Sequence, residues 1–155
     1  MIIALIERAV SDDQAGVFRL LEENHLPVAG LEQHMARALV ARDGGQVVGA
    51  AALEVYADGA LLRSVAVAPG LQRNGIGHQL TEAALRLAQQ LQVPAVYLLT
   101  NTAPDFFPKF GFERIARAEV PASVQQSIEF TSACCASAVV MRKILPGTIS
   151  RSPAH

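Results

Sequence analysis

The spacing of apolar residues divides the chain into an alternating first half and a helical stretch near its middle. Residues 2–8 form an apolar run that reads as a first strand. Ser11 with Gln14 three positions later is a capping box for a helix running to about Asn24, with Val17, Phe18, Leu20 and Leu21 supplying its apolar face past the interruption at Gly16. His25 to Gly30, containing Pro27, is a loop, and Leu31 to Ala36 is a short helix. Ala38 to Arg42 and Gln46 to Tyr56 flank Asp43-Gly44-Gly45, a hairpin turn whose glycines accept positive φ. A second turn at Asp58-Gly59 leads into Leu61 to Val67, so the first half reads as an antiparallel meander.

The period then changes. From Gly77 to about Leu91, apolar residues recur at Leu80, Ala84, Leu87 and Leu91, one face of a helix that needs a sheet to pack on. Pro94 stops it, and Ala95 to Leu99 is the short continuous apolar run of a central strand covered on both faces. Strand, helix, strand in this order implies a parallel crossover. A strand near Phe112 to Ile115, a helix opened by Pro121 and a last strand at Ala138 to Arg142 complete a domain expected over residues 1–146. The remainder, 147–155, is expected to be a frayed tail.

Composition narrows the classes. A chain of 155 residues suits one domain. With 51% hydrophobic against 17% charged residues it reads as a well-packed globule, and a net charge of −1 offers no basic footprint for nucleic acid. Glu54, Asp58 and Arg63 break the apolar runs before any reaches the ~18 to 20 residues of a membrane helix. No basic start with an apolar middle marks a signal peptide, so a cytoplasmic enzyme is the expectation. The two cysteines, Cys134 and Cys135, are adjacent and cannot form an ordinary disulfide without backbone strain.

The chemistry concentrates where the meander meets the helix. Val65-Ala66-Val67-Ala68-Pro69-Gly70-Leu71-Gln72-Arg73-Asn74-Gly75-Ile76-Gly77 reads as a strand, a glycine-containing loop and a helix start. The first N–H groups of a helix lack internal partners and, helped by the helix dipole, suit an anion such as a diphosphate. A nucleotide P-loop would need Lys-Ser or Lys-Thr, which the chain lacks, and a dinucleotide fingerprint would need glycine where Leu80 stands. The Gln72-x-x-Gly75-x-Gly77 pattern after Val65-x-Val67-x-Pro69 instead resembles the acyl-CoA loop of the GNAT N-acetyltransferase superfamily. A second segment, from Leu98-Leu99-Thr100-Asn101 through Phe106-Phe107 to Lys109-Phe110-Gly111-Phe112, is similar to the strand, short helix and closing Lys-x-Gly-Phe of the same family.

The resemblance implies an α/β (α+β) fold. A single GNAT-like domain would carry a mixed central sheet, with an antiparallel N-terminal meander, a parallel splayed pair around the CoA loop and flanking helices. It implies acetyl-CoA as cosubstrate and no metal. The backbone of Val65, Ala66 and Val67 would bind the pantetheine arm. Gln72, Arg73, Asn74, Gly75, Ile76, Gly77 and His78 would present N–H groups to the pyrophosphate, with Arg73 free to add a charge-assisted contact and His78 read as a surface residue. Asn101 would bind near the pantetheine, and Phe106 and Phe107 would line the thioester end. Many family members carry at the position of Phe107 a tyrosine whose hydroxyl protonates the departing thiolate. Phe107 has no proton to give, and neither Tyr56 nor Tyr97 is assigned that work by its position. Water or substrate would then protonate the thiolate.

Acylation of an amine also needs a group to remove a proton, and Glu54, a carboxylate within an apolar strand, is the candidate base; an outward-facing charge on an alternating strand is the competing reading. Arg63 shares the alternation of Val65 and Val67 and suits an acceptor bearing a carboxylate, whereas Ser64 is expected on the opposite face; pairing of Arg63 with Glu54 is the structural alternative. Both are candidate acceptor contacts.

Leu62 to Val67, Leu98 to Thr100 and the Phe106 to Phe112 segment are similar to the GNAT domain of N-acetylglutamate synthases. Phe130 to Met141 looks like a short group associated with arsenic resistance. Both imply a small amino-acid-like amine as acceptor, acetylated by direct transfer in a ternary complex. The adjacent thiols of Cys134 and Cys135 are read as small loop residues in preference to ligands of a soft metalloid. Phe107 motivates the alternative of a non-catalytic acyl-CoA-binding sensor with the same fold. No nucleic acid or membrane partner is expected, and a homodimer is expected by analogy.

Overall fold

A computed structural model describes residues 4–101, 103–131 and 138–145. The expected tail and the Cys134-Cys135 pair lie outside the described residues. The strands are β1 (Leu5–Arg8), β2 (Ala38–Asp43), β3 (Gln46–Tyr56), β4 (Gly59–Val67), β5 (Ala95–Thr100), β6 (Glu113–Arg114) and β7 (Val139–Ile144). The longer helices are α1 (Gln14–Glu23) and α2 (Ile76–Gln90). The strands form one mixed sheet in the order β1-β2-β3-β4-β5-β7-β6. The chain divides into two compact units: the described residues of Met1–Leu53 with Leu62–Leu85, and those of Glu54–Leu61 with Arg86–His155.

In the first unit β1 and β2 pair antiparallel, as do β2 and β3, with a register shift between Ala41 and Arg42. Val17, Leu20 and Leu21 of α1 are buried with Leu31, Val40, Ala50, Ala52 and Ala66, the face that the helical spacing foretold. The helix start differs from the expected Ser11–Gln14 capping box. Ser11–Asp13 is a 3-10 turn, and the Val10 amide donates to Asp13 Oδ2 at 2.8 Å, so Asp13 ties the turn that leads into α1. Asp13 is itself buried and accepts both terminal nitrogens of Arg42 at 2.9 and 2.7 Å, while Arg42 Nε donates to Glu7. These hydrogen bonds from Arg42, aided by the Val10 amide, hold the Asp13 carboxyl below its ordinary value despite desolvation.

In the second unit β4 pairs parallel with β5 at Ala60↔Val96 and Leu61↔Tyr97, the crossover expected from the strand, helix, strand order. β5 pairs antiparallel with β7, and β7 with β6. Leu61, Ala95, Tyr97, Val120, Val124 and Val140 form the core of this unit. The helix expected after Pro121 is replaced by a 3-10 turn at Val124–Gln126 and a single helical turn at Ile128–Thr131. Ser127 interrupts the path with an extended ψ of 141° and accepts the Glu129 amide on its hydroxyl at 3.1 Å, an alternative to continued helix.

Candidate functional site

The loop between β4 and α2 is built by its own hydrogen bonds. Leu71 N–H donates to Ala68 O at 3.0 Å, and the Asn74 side chain closes the next turn onto Leu71 O at 3.0 Å. Gly70, Arg73 and Gly75 are left-handed, at φ +92°, +73° and +83°. A Cβ on Gly75 would meet nothing, so glycine is needed there for its backbone and not for space. Helical bonding starts immediately, with Gln79 N–H donating to Gly75 O at 3.0 Å. The amides of Ile76, Gly77 and His78 are therefore in the first turn of a 15-residue helix, where no intrahelical carbonyl reaches them. Ile76 is buried and anchors that turn, while Gln72, Arg73, Asn74 and Gly75 are exposed. His78 lies on the surface, its Nε2 3.2 Å from Glu82 Oε2.

Before the loop, Ala68 N–H donates to Val48 O on β3 at 2.8 Å. Because successive residues of a strand turn their backbone groups to opposite edges, Ala66 shares the β3 edge while Val65 and Val67 face the other. The Val67 carbonyl receives the side-chain amides of Asn24 at 3.2 Å and Gln72 at 3.3 Å.

The strand is kinked just upstream. Ser64 adopts φ +63°, a left-handed conformation for a non-glycine residue inside a strand. This overturns the expectation that Arg63 and Ser64 occupy opposite faces. The kink breaks the alternation, and Arg63 Nε donates to Ser64 Oγ at 3.0 Å. Arg63 is buried, and its terminal nitrogens donate to Ala29 O at 2.9 Å and Pro27 O at 3.0 Å.

In the second unit Glu54 is 1% exposed, which sets aside the outward-facing charge on β3. Tyr56, two residues on and half-buried, donates its hydroxyl to Glu54 Oε1 at 2.5 Å. Phe106 is half-buried and Phe107 buried, within a string of rings: Phe106 to Phe107 at 5.0 Å, Phe106 to Phe110 at 5.2 Å and Phe107 to Phe112 at 5.8 Å. Lys109 Nζ stands 4.7 Å from the Phe106 ring centre. Asn101 is exposed just after β5. Among the described residues no group of three or more His, Cys, Asp or Glu side chains is placed to hold a metal.

Two residues escaped the sequence reading. Asn24 at the end of α1 gave no signal beyond a helix terminus. Gly49 sits mid-strand on β3, and a Cβ there would lie 2.8 Å from Leu80 Cδ1, 3.1 Å from Ile76 Cγ2 and 3.3 Å from Ala41 Cβ. It lets the first turns of α2 sit close on the sheet. The signal was present in Gly49-Ala50-Ala51-Ala52, small residues where a long helix must pack.

The acetyltransferase (GNAT) domain family model matches residues 34–114. An amino-acid acetyltransferase from Mycobacterium tuberculosis is 40% identical over 81 residues, 52% of this chain and 46% of that protein. The chain thus matches less than half the length of this curated relative. Rv2747 from Mycobacterium tuberculosis, solved in complex with CoA and NLQ, superposes with a TM-score of 0.78 at 25% identity, covering 92% of this chain and 99% of that one. N-acetylglutamate synthase from Neisseria gonorrhoeae, complexed with coenzyme A and N-acetyl-glutamate, shares the fold with a TM-score of 0.77 at 22% identity, over 94% of this chain and 36% of that one.

Proposed function

The chain belongs to the acetyltransferase (GNAT) domain family, and from that membership we propose that it transfers acetyl from acetyl-CoA to the amine of a small amino-acid-like acceptor. The observation that carries the reading is the left-handed loop ending in Gly75, directly followed by the first turn of α2, whose N–H groups no intrahelical carbonyl reaches. Its donors fit a pyrophosphate: they are backbone N–H groups, rigidly held, at the positive end of a helix dipole. Val65 N–H and C=O and the Val67 N–H are the groups we assign to the pantetheine amides. Asn101, Phe106 and Phe107 are assigned to the cofactor's pantetheine and thioester portions.

Acetyl-CoA when bound supplies the acetyl group as an activated thioester. For the acceptor, Glu54 is the proposed base: its carboxylate, oriented by the Tyr56 hydroxyl on Oε1, takes the amine proton, leaving a neutral nucleophile. The amine nitrogen then forms the amide bond as the thioester bond breaks, the sulfur leaving with the bonding pair and taking up the second amine proton by way of water or the acceptor itself. Arg63 and Ser64 remain the proposed acceptor contacts, and the Mycobacterium relative named for amino acids supports that acceptor class.

Thiol release from acetyl-CoA with a panel of amino acids tests the reading. Release that depends on one acceptor supports it, and silence across the panel contradicts it. The second reading, a sensor that binds acyl-CoA without transfer, is favoured by Phe107, buried among rings and carrying no hydroxyl. Silence together with a rise in Tm on adding acetyl-CoA would favour it.

A further inference from the structure

We infer that Asn24 is a positioning residue for the cofactor loop, tying the end of α1 to the last carbonyl of β4 and to Gln72; the inference rests on the acetyl-CoA reading above. The Asn24 carboxamide donates to Leu20 O at 2.9 Å and to Val67 O at 3.2 Å, and its oxygen accepts Gln72 Nε2 at 3.1 Å. Both donors and one acceptor site are thus engaged, and they fix the amide's orientation, since the flipped form would face nitrogen against nitrogen. Aspartate could receive Gln72 but would set negative oxygens against two carbonyls. Leucine would make none of the three bonds.

The clasp matters because of where it lies. Val67 ends β4, and the loop that follows is held by short-range turns and by Gln72, whose side chain returns to Val67 O and Asn24. The same end of α1 grips β4 a second time. His25 is left-handed at φ +58°, Leu26 N–H returns to Leu21 O at 2.9 Å, and the chain then offers Pro27 O and Ala29 O to Arg63. The two grips, at Arg63 and Val67, bracket the Ser64 kink and Val65. The segment 24–29 thereby presets the backbone edge and the start of the loop before any ligand arrives, so that less ordering remains to oppose binding.

The test is titration of coenzyme A into the wild type, Asn24→Ala, Asn24→Asp, Gln72→Ala and the Asn24→Ala/Gln72→Ala double variant by calorimetry, well below each Tm. We expect Asn24→Ala and Asn24→Asp to raise the Kd for coenzyme A by about 5- to 10-fold, the loss of one or two net hydrogen bonds. The double variant should lose less than the product of the single effects, because both act on one clasp. Val124→Ala, which opens the core of the second unit and alters no residue of the clasp, should lower Tm and leave Kd within twofold.

Wild-type Kd in Asn24→Ala despite a lowered Tm overturns the inference, as do independent, multiplying effects of the two single variants. Should Asn24→Ala fail to fold, Gln72→Ala, at an exposed loop position, carries the same comparison. Failure of the wild type itself to bind coenzyme A overturns the cofactor reading and the inference with it. Binding that Asn24→Ala leaves unchanged overturns the inference alone.

Discussion

The hydroxyl of Tyr56 stands 2.5 Å from Oε1 of the buried Glu54, two residues apart on the same face of β3. That distance lies at the short end of hydroxyl-to-carboxylate hydrogen bonds. A bond of this kind holds the carboxylate in one orientation. Replacing Glu54 by Gln should cut kcat by on the order of 100- to 10,000-fold while leaving the Kd for acetyl-CoA within twofold. Tyr56→Phe keeps the ring and removes only the proton donor. With the carboxylate no longer held in one orientation, kcat should fall by about 3- to 10-fold, the loss of one net hydrogen bond. Steady-state kinetics checks both, and a wild-type kcat in Tyr56→Phe would detach the tyrosine from the base.

Gly49 is a position where added volume meets the packing of α2 on the sheet. One methyl group would press on Leu80 and Ile76, the residues that seat the first turns of α2. Gly49→Ala should cost about 1–3 kcal/mol of stability through overpacking and weaken coenzyme A binding by displacing the N-terminal amides of the helix. Urea denaturation and calorimetry measure the two effects. Stability and affinity at the wild-type level would show that α2 does not rest on that glycine.

Asp13 gives the fold a defined response to acid. Its carboxyl is held below the ordinary 3.8, chiefly by the hydrogen bonds from Arg42. A depressed carboxyl stabilises the folded chain above its unfolded value, and that stability fades as pH falls through the folded value. Asp13→Asn should therefore lower Tm at pH 7, and the gap between wild type and variant should narrow between pH 5 and pH 3. Thermal scans over that range decide it: a gap independent of pH would mean that the Asp13 charge contributes nothing.

Much of the frame could be read from the chain because its determinants are local. The Asp43-Gly44-Gly45 turn, the spacing of Leu80, Ala84 and Leu87, and Pro94 each act within a few residues, and the strands and helices they imply are present. The loop could be read for the same reason, since Gly70 and Gly75 mark two of its left-handed positions. Arg73 and Ser64, equally left-handed, could not, because neither residue type advertises that conformation. The Arg63–Ser64 bond was unreadable for the same reason: alternation is a rule for a regular strand, and the left-handed Ser64 departs from it. Asn24 and the Tyr56–Glu54 bond were invisible for different reasons. The first depends on Val67 and Gln72, more than 40 positions away. The second depends on the burial of a strand end, where its alternating pattern alone allowed either face. The segment after Pro121 was misread because the Ser127 hydroxyl competes with helical hydrogen bonds by taking the Glu129 amide.

The most direct test of the account is a continuous thiol-release assay with acetyl-CoA and the amino acids one at a time, glutamate and arginine among them, run beside the Glu54→Gln variant. The account expects release above the hydrolytic background with one acceptor, one acetyl-amine formed per thiol, and loss of that release in Glu54→Gln. Release that no acceptor stimulates, or that Glu54→Gln performs as fast as the wild type, would contradict it.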